Sequence, residues 1–445
     1  LGESAGSARR VLGLALPALG VLVAEPIYLL FDFAVVGRLG ALPLAGLAVG
    51  GLILTIVSTQ LTFLSYGTTS RSARLHGAGD YRAAVAEGVQ ASWLALGIGA
   101  VIVVVMQILA APITDVIAGG HDIAGQAQSW LRIGLFGAPL ILVTMAGNGW
   151  MRGVQNTVRP FVFVVAGLVL SAVLCPVLVH GLLGAPHLGL EGSAVANVCG
   201  QVVAAVLFIS ALVHERADLG PRVGVMRAQL LLGRDLIARS LAFQACFLSA
   251  TAVASRFGAA SVAAHQLVLQ LWNFVSLTLD ALAIAAQSLV GAALGAGRID
   301  PAKSLAWQIT RWSTVFAAAL AVAFAAGYVV VPGVFTTDAA VVDQTHVAWW
   351  YFVAIIPIGG VAFALDGVLL GAGDAAFLRT ATLGAAIVGF LPLIWLSLVF
   401  DWGLAGIWAG LTTFMVLRMV AVAARTASGR WAVPGSDIQI RNAER

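Results

Sequence analysis

The sequence predicts an all-α integral membrane protein, with twelve transmembrane helices in two six-helix lobes related by an axis along the membrane normal. Three observations carry this. Of 445 residues, 60% are hydrophobic and only 10% charged, with a mean hydropathy of +0.98; an ordinary soluble domain carries roughly 25% charged residues. The apolar residues gather into twelve runs of bilayer-crossing length. The chain also repeats itself at an offset of 218 residues: Arg38-Leu39-Gly40-Ala41 returns as Arg256-Phe257-Gly258-Ala259, Ala45 as Ala263, and Gly77-Ala78-Gly79 as Gly295-Ala296-Gly297. Asn148-Gly149 and Gly153 are answered by Asp366-Gly367 and Gly371. An even number of spans per repeat gives both halves the same topology, hence the axis along the membrane normal.

The first span, 11–36, is almost wholly apolar yet holds Glu25, Asp32, Pro17 and Pro26. Glu25 and Asp32 lie two helical turns apart on one face, with Tyr28 between them. A carboxylate in hydrocarbon is expensive, so it faces a cavity or the bundle interior. Proline removes a backbone hydrogen bond, so a bend is expected here, either a static kink or a moving hinge. The second and third spans, 46–70 and 84–111, flank the first Gly-Ala-Gly turn, and the fourth, 127–150, runs into Asn148-Gly149. Ser171, Cys175 and Pro176 sit in the fifth, 159–179, and Asn197 in the sixth, 190–213. The second lobe repeats the plan as 235–255, 262–290, 306–332, 344–370, 377–400 and 404–425. The domains so read are an N-terminal lobe over 1–213, a charged linker over 214–234 with a Gly220-Pro221 turn, a C-terminal lobe over 235–426 and a tail over 427–445.

Charge sets the orientation. Of 24 basic residues, all but Arg38, Arg132 and Arg256 fall on the side of the termini and the linker. By the positive-inside rule both termini, the linker and the tail are cytoplasmic, in a multi-pass protein of the plasma membrane. The basic residues are scattered over short loops, which excludes a nucleic-acid partner. Cys175, Cys199 and Cys246 show no pairing or metal spacing and read as buried thiols. There is no His-Glu-x-x-His motif and no nucleophile with its base, so neither enzyme chemistry nor a cofactor is expected. The Gly-Ala-Gly loops lack the flanking residues of a phosphate cradle and read as turns. No cleavable signal is evident, and the absence of a leading Met suggests numbering that starts inside a longer precursor.

The order and spacing of four stretches resemble the multidrug and toxic compound extrusion (MATE) transporters, in their DinF-like branch. These are Glu25-Pro26 and Asp32 with Val36-Gly37-Arg38-Leu39-Gly40; Ala263-Ala264-His265-Gln266; Asp280-Ala281-Leu282-Ala283-Ile284-Ala285-Ala286-Gln287; and Asp366-Gly367-Val368-Leu369-Leu370-Gly371-Ala372-Gly373-Asp374. The resemblance implies secondary active export by alternating access, with a cation gradient driving a drug-like or metabolite substrate outward through a V-shaped central cavity. It places Asp32 at the family's first-helix aspartate, Pro17 at its first-helix bend, and Asn148 and Asn197 at or near positions that supply oxygen ligands. In the fifth span the family's Asn-x-x-x-Asp-Pro reads Ser171-Ala172-Val173-Leu174-Cys175-Pro176, so the second carboxylate is gone.

Each candidate has a plain alternative beside it. Asp32 is a coupling-ion carboxylate or a structural acid paired to a neighbouring helix. Glu25 relays protons from the outer side towards Asp32, or caps a network. Asp366 mirrors the first-lobe site at the repeat position of Asn148, or is solvated or paired with Arg152 or Arg379 near a cytoplasmic helix end. Asp280 is a proton or substrate-cation site by the same reasoning. Tyr28, Gln60, Trp272 and Asn273 are candidates for the substrate cavity, although core packing explains a Trp equally well. His265, read at the start of the eighth helix, is structural more often than functional.

The coupling ion is expected to be the proton rather than sodium. A hard cation stripped of water needs several oxygens, and a thiol is a poor ligand for it. The first-lobe set offers Asp32, Asn148, Ser171 and Asn197, with Cys175 where a second carboxylate would stand, whereas a proton needs one carboxyl and a hydrogen-bonded path. The expected substrate is a small cationic or neutral amphipathic organic compound, handled by a monomer within the lipid bilayer. The rival function is a flippase for a lipid-linked or amphipathic lipid substrate. That would call for a cationic cavity, and the charges inside these spans are acidic.

Overall fold

The computed structural model describes residues 2–436, with side chains from residue 8 onward. The described residues contain helices and no strand. Twelve stretches are long and apolar enough to cross a bilayer, from Ala8–Gly37 to Gly403–Ala427, so the chain is a multi-pass membrane protein. It divides into two compact units, Leu16–Gly233 and a second made of the chain from Arg234 onward plus its opening residues to Ala15. The expected tail over 427–445 lies outside the described residues from 437 on.

The first unit contains most of α1 (Gly2–Gly37), then α2 (Ala41–Gln60), α3 (Phe63–Gly77), α4 (Tyr81–Ala118), α5 (His121–Gly134), α6 (Ala138–Gly153), α7 (Val158–His180) and α8 (Leu190–His214). Pro17 and Pro26 both lie inside α1, which runs unbroken through them. The second expected span is two helices, α2 and α3, broken at Leu61 and Thr62, and the fourth is α5 and α6 joined by a 3₁₀ turn ahead of Pro139. An apolar core forms around Trp130, Leu131, Cys175, Val179 and Leu190. Helices approach closely where glycine removes the side chain: a Cβ on Gly167 of α7 would stand 2.5 Å from the Gly200 carbonyl of α8. Between apolar helices in lipid, such small-residue contact replaces the hydrophobic drive available in water.

The linker read over 214–234 is partly helical. Helix α9 (Val223–Ala254) already begins inside it. Gln90 donates to the Gly220 carbonyl at 2.8 Å and accepts from the Arg222 amide at 2.6 Å, while the Trp93 indole donates to the Leu219 carbonyl at 2.8 Å. Gln229 donates to Glu87, which also takes a two-pronged pair from Arg71 at 2.6 and 2.8 Å. The Gly220 amide and the Arg222 guanidinium hold the exposed Asp218 carboxyl below the usual carboxylate range. Charge kept this stretch out of the apolar reading, yet its polar groups bind it to the first unit.

The second unit contains the rest of α9, α10 (Ala259–Gly295), α11 (Ile299–Ala326), α12 (Val330–Phe335), α13 (Ala339–Gly371), α14 (Ala375–Ala385), α15 (Leu391–Val399) and α16 (Gly403–Ala427), with a π-helical turn between α14 and α15. Its core gathers Trp272, Phe352, Phe390, Trp408 and Phe414. The sequence repeat is a repeat of contacts. Gly149 and Gly153 of α6 press on the Ser65 and Thr69 carbonyls of α3, and Gly367 and Gly371 of α13 press on those of Ala283 and Gln287 in α10. Every one of these residues is offset by 218. The turns match too: Gly79 and Gly297 both adopt positive φ, +85° and +73°, a conformation glycine reaches without a Cβ penalty.

Candidate functional site: a buried carboxylate in the first unit

Asp32 lies five residues from the Gly37 end of α1 and is 1% exposed. One turn earlier, Tyr28 is buried on the same face. From α7, the Cys175 thiol donates to Asp32 Oδ1 at 3.2 Å. From α8, the Ser193 hydroxyl donates to Oδ2 at 2.8 Å, and the Trp130 indole of α5 donates to the Ser193 oxygen at 3.2 Å. Ser171, one turn before Cys175, spends its hydroxyl on the Ala196 carbonyl at 3.1 Å. The Tyr28 hydroxyl lies beside Asp32, Cys175 and Ser171. Among the described residues no arginine, lysine or histidine forms an ion pair with Asp32. A carboxyl held only by neutral donors can take up a proton without abandoning a cationic partner.

Of the first-lobe residues singled out from the sequence, the structure brings together Asp32, Tyr28, Ser171 and Cys175. Asn148 does not join them. It lies eighteen residues along the same span from Trp130, which by helical rise is about 27 Å, and its buried Oδ1 has no partner. Asn197 is half-buried on α8 and contributes neither of the hydrogen bonds to Asp32. Glu25 is exposed and lies seven residues further than Asp32 from the Gly37 end. Gln60 closes α2, half-buried, with its Oε1 unpartnered. Pro17 is half-buried and Pro26 exposed.

Ser193 and Trp130 were missed. The available signal was Ser193 standing one turn before the flagged Asn197 on α8, in position to share its face.

The second-unit acids differ. Asp366 is 4% exposed, and its Oδ2 takes Arg239 Nη2 at 2.6 Å and Arg418 Nη2 at 2.5 Å. Arg418 also donates to Thr382 at 3.3 Å and lies 4.3 Å over the Phe243 ring. The expected partners were wrong: Arg379 pairs with Asp235 at 2.6 Å, and Arg152 donates to Ser65. Sequence proximity to a helix end suggested those two, whereas the arginines that reach Asp366 come from the bodies of α9 and α16. Asp280 is half-buried and engaged with a neighbour. Trp272 is packed in the core, edge-on to Phe363 at 6.3 Å, while Asn273 is exposed. His265 lies two turns inside α10 rather than at its start, fully buried and edge-on to Trp408 at 5.8 Å.

A duplicated bundle of twelve spans with an intramembrane acid on its first helix is the build of a secondary transporter. The MatE family model matches residues 17–177 and again 236–396, one match per repeat. The chain is 33% identical over 438 residues to Protein DETOXIFICATION 44, chloroplastic, of Arabidopsis thaliana, covering 95% of this chain and 83% of that one. It is 31% identical over 432 residues to DNA damage-inducible protein F of Escherichia coli (strain K12), covering 92% and 90%. The Vibrio cholerae MATE transporter VcmN in its bent form matches with a TM-score of 0.87 at 18% identity, over 97% of this chain and all of that one, a likeness of fold. The chain belongs to the multidrug and toxic compound extrusion family, in its DinF-like branch. The family is one of transporters, not enzymes.

Proposed function

We propose that the chain is a proton-coupled antiporter of the plasma membrane, both termini cytoplasmic, that exports small cationic or neutral amphipathic organic compounds by alternating access. Asp32 is the coupling group, and the observation that carries the reading is its shell. The Ser193 hydroxyl donates to the carboxylate, and because the Trp130 indole is donor-only, it fixes one lone pair of Ser193 and leaves the hydroxyl proton aimed at Asp32. On protonation the Asp32 hydroxyl donates in turn and Ser193 rotates to accept, so one proton moves with no charge left unpaired. A sodium ion would instead need several oxygens, and here the place on Oδ1 is taken by a thiol.

The test is export from reconstituted vesicles with the membrane potential clamped. A pH gradient without sodium drives export if the proton is the coupling ion. Export driven by an inward-directed sodium gradient at equal pH, and by no pH gradient, overturns the reading.

A further inference from the structure

Towards the Gly37 end of α1 from Asp32, the first unit has a cleft of about 340 Å³, open on one side, whose polar lining is Gln126, Ser129, His187 and Glu191. Nothing in the coupling reading uses it. Its place follows from two stacked layers. In the upper one, Gly46 of α2 presses on Gln126 of α5 and on Leu190 of α8; a Cβ there would stand 2.5 Å from the Gln126 side chain and 3.1 Å from that of Leu190. In the lower one, Gly50 presses on Trp130, which holds Ser193, which holds Asp32. The pairs 46 and 50, 126 and 130, and 190 and 193 are each about one helical turn apart, so about 6 Å separates the cavity floor from the carboxylate layer. Leu190, 5% exposed, belongs to both the cavity wall and the core.

We propose that this cavity is the outer antechamber through which water and the coupling ion reach Asp32, with Leu190 as its floor and the Trp130–Ser193 pair as the inner door. The inference rests on Asp32 being the coupling group. Glu191 gives the rim a carboxylate that concentrates cations. Among the described residues Ser193 is the one hydroxyl that donates to Asp32, and it lies within one turn of the cavity wall, so it carries the proton the last step. Glu25, exposed and two turns further along α1, is left off this route.

Cys175 is the built-in probe, because its thiol sits on Asp32 Oδ1. In the full chain with Cys199 and Cys246 changed to Ala, intact cells are treated from outside with an impermeant trimethylammonium methanethiosulfonate. Expected are slow labelling of Cys175 in this parent, faster labelling in Leu190→Ala, and loss of labelling when the cavity is filled by Ser129→Trp. Leu39→Trp, on another part of the wall, is a second plug should the first not fold, as judged by elution of the purified protein. Parental labelling rates in a folded plug variant, or no gain in Leu190→Ala, overturn the route. Labelling needs no gradient and no transport, so it is separate from the coupling reading. That reading falls if Asp32→Asn exports at the wild-type rate, and the antechamber then loses its function even with the labelling pattern intact.

Discussion

Asp32, Ser193 and Trp130 form a chain of three side chains from three helices, in which only the first is a carboxyl. Asp32→Asn keeps the shape and removes the proton site, so gradient-driven export should be lost while expression and thermal stability stay near wild type. Export at the wild-type rate would make Asp32 structural. Ser193→Ala removes the hydroxyl from Asp32 and leaves the buried Trp130 N–H with no acceptor, a loss of about 1–3 kcal/mol in unfolding measurements. An unchanged midpoint would mean that water replaces the hydroxyl. Asp32 was legible because an acid in an apolar run is conspicuous. Ser193 was not, since a serine in a helix interior is unremarkable until its partner is known.

Between helices, the close contacts and the buried charges make separate demands. Gly367 of α13 stands where any Cβ would overlap the Ala283 backbone of α10. Gly367→Ala should therefore cost about 1–3 kcal/mol through backbone displacement, and Gly149→Ala a similar amount in the matching contact; a silent pair would mean that the helices part freely. The cluster of Asp366 with Arg239 and Arg418 ties α13 to α9 and α16. Asp366→Asn leaves two guanidinium groups without their anion, and breaking such a buried pair costs about 3–5 kcal/mol. A scan in which Asp366→Asn melts with the wild type would return Asp366 to the list of coupling candidates. The spans and the glycine repeat were legible because periodicity and spacing are written along the chain. The partners of Asp366 were not, because the pairing joins residues from distant helices and Arg239 and Arg418 look like ordinary flanking charges.

At the scale of the whole chain, the clamped linker makes a topological prediction. Asp218→Cys, at an exposed position of the linker, should react with an impermeant thiol reagent only after the cells are opened, and labelling in intact cells would reverse the orientation. The compact units do not coincide with the sequence repeats. The boundaries fall inside helices, at Ala15–Leu16 in α1, just ahead of Pro17, and at Gly233–Arg234 in α9. The second unit thus includes the opening of α1, where Val11, Leu14 and Ala15 are buried. Producing the protein as two polypeptides cut in the linker would strand that opening on the wrong fragment. The downstream piece alone would lack fifteen residues of its own unit, so it should accumulate only when the upstream piece is made in the same cell.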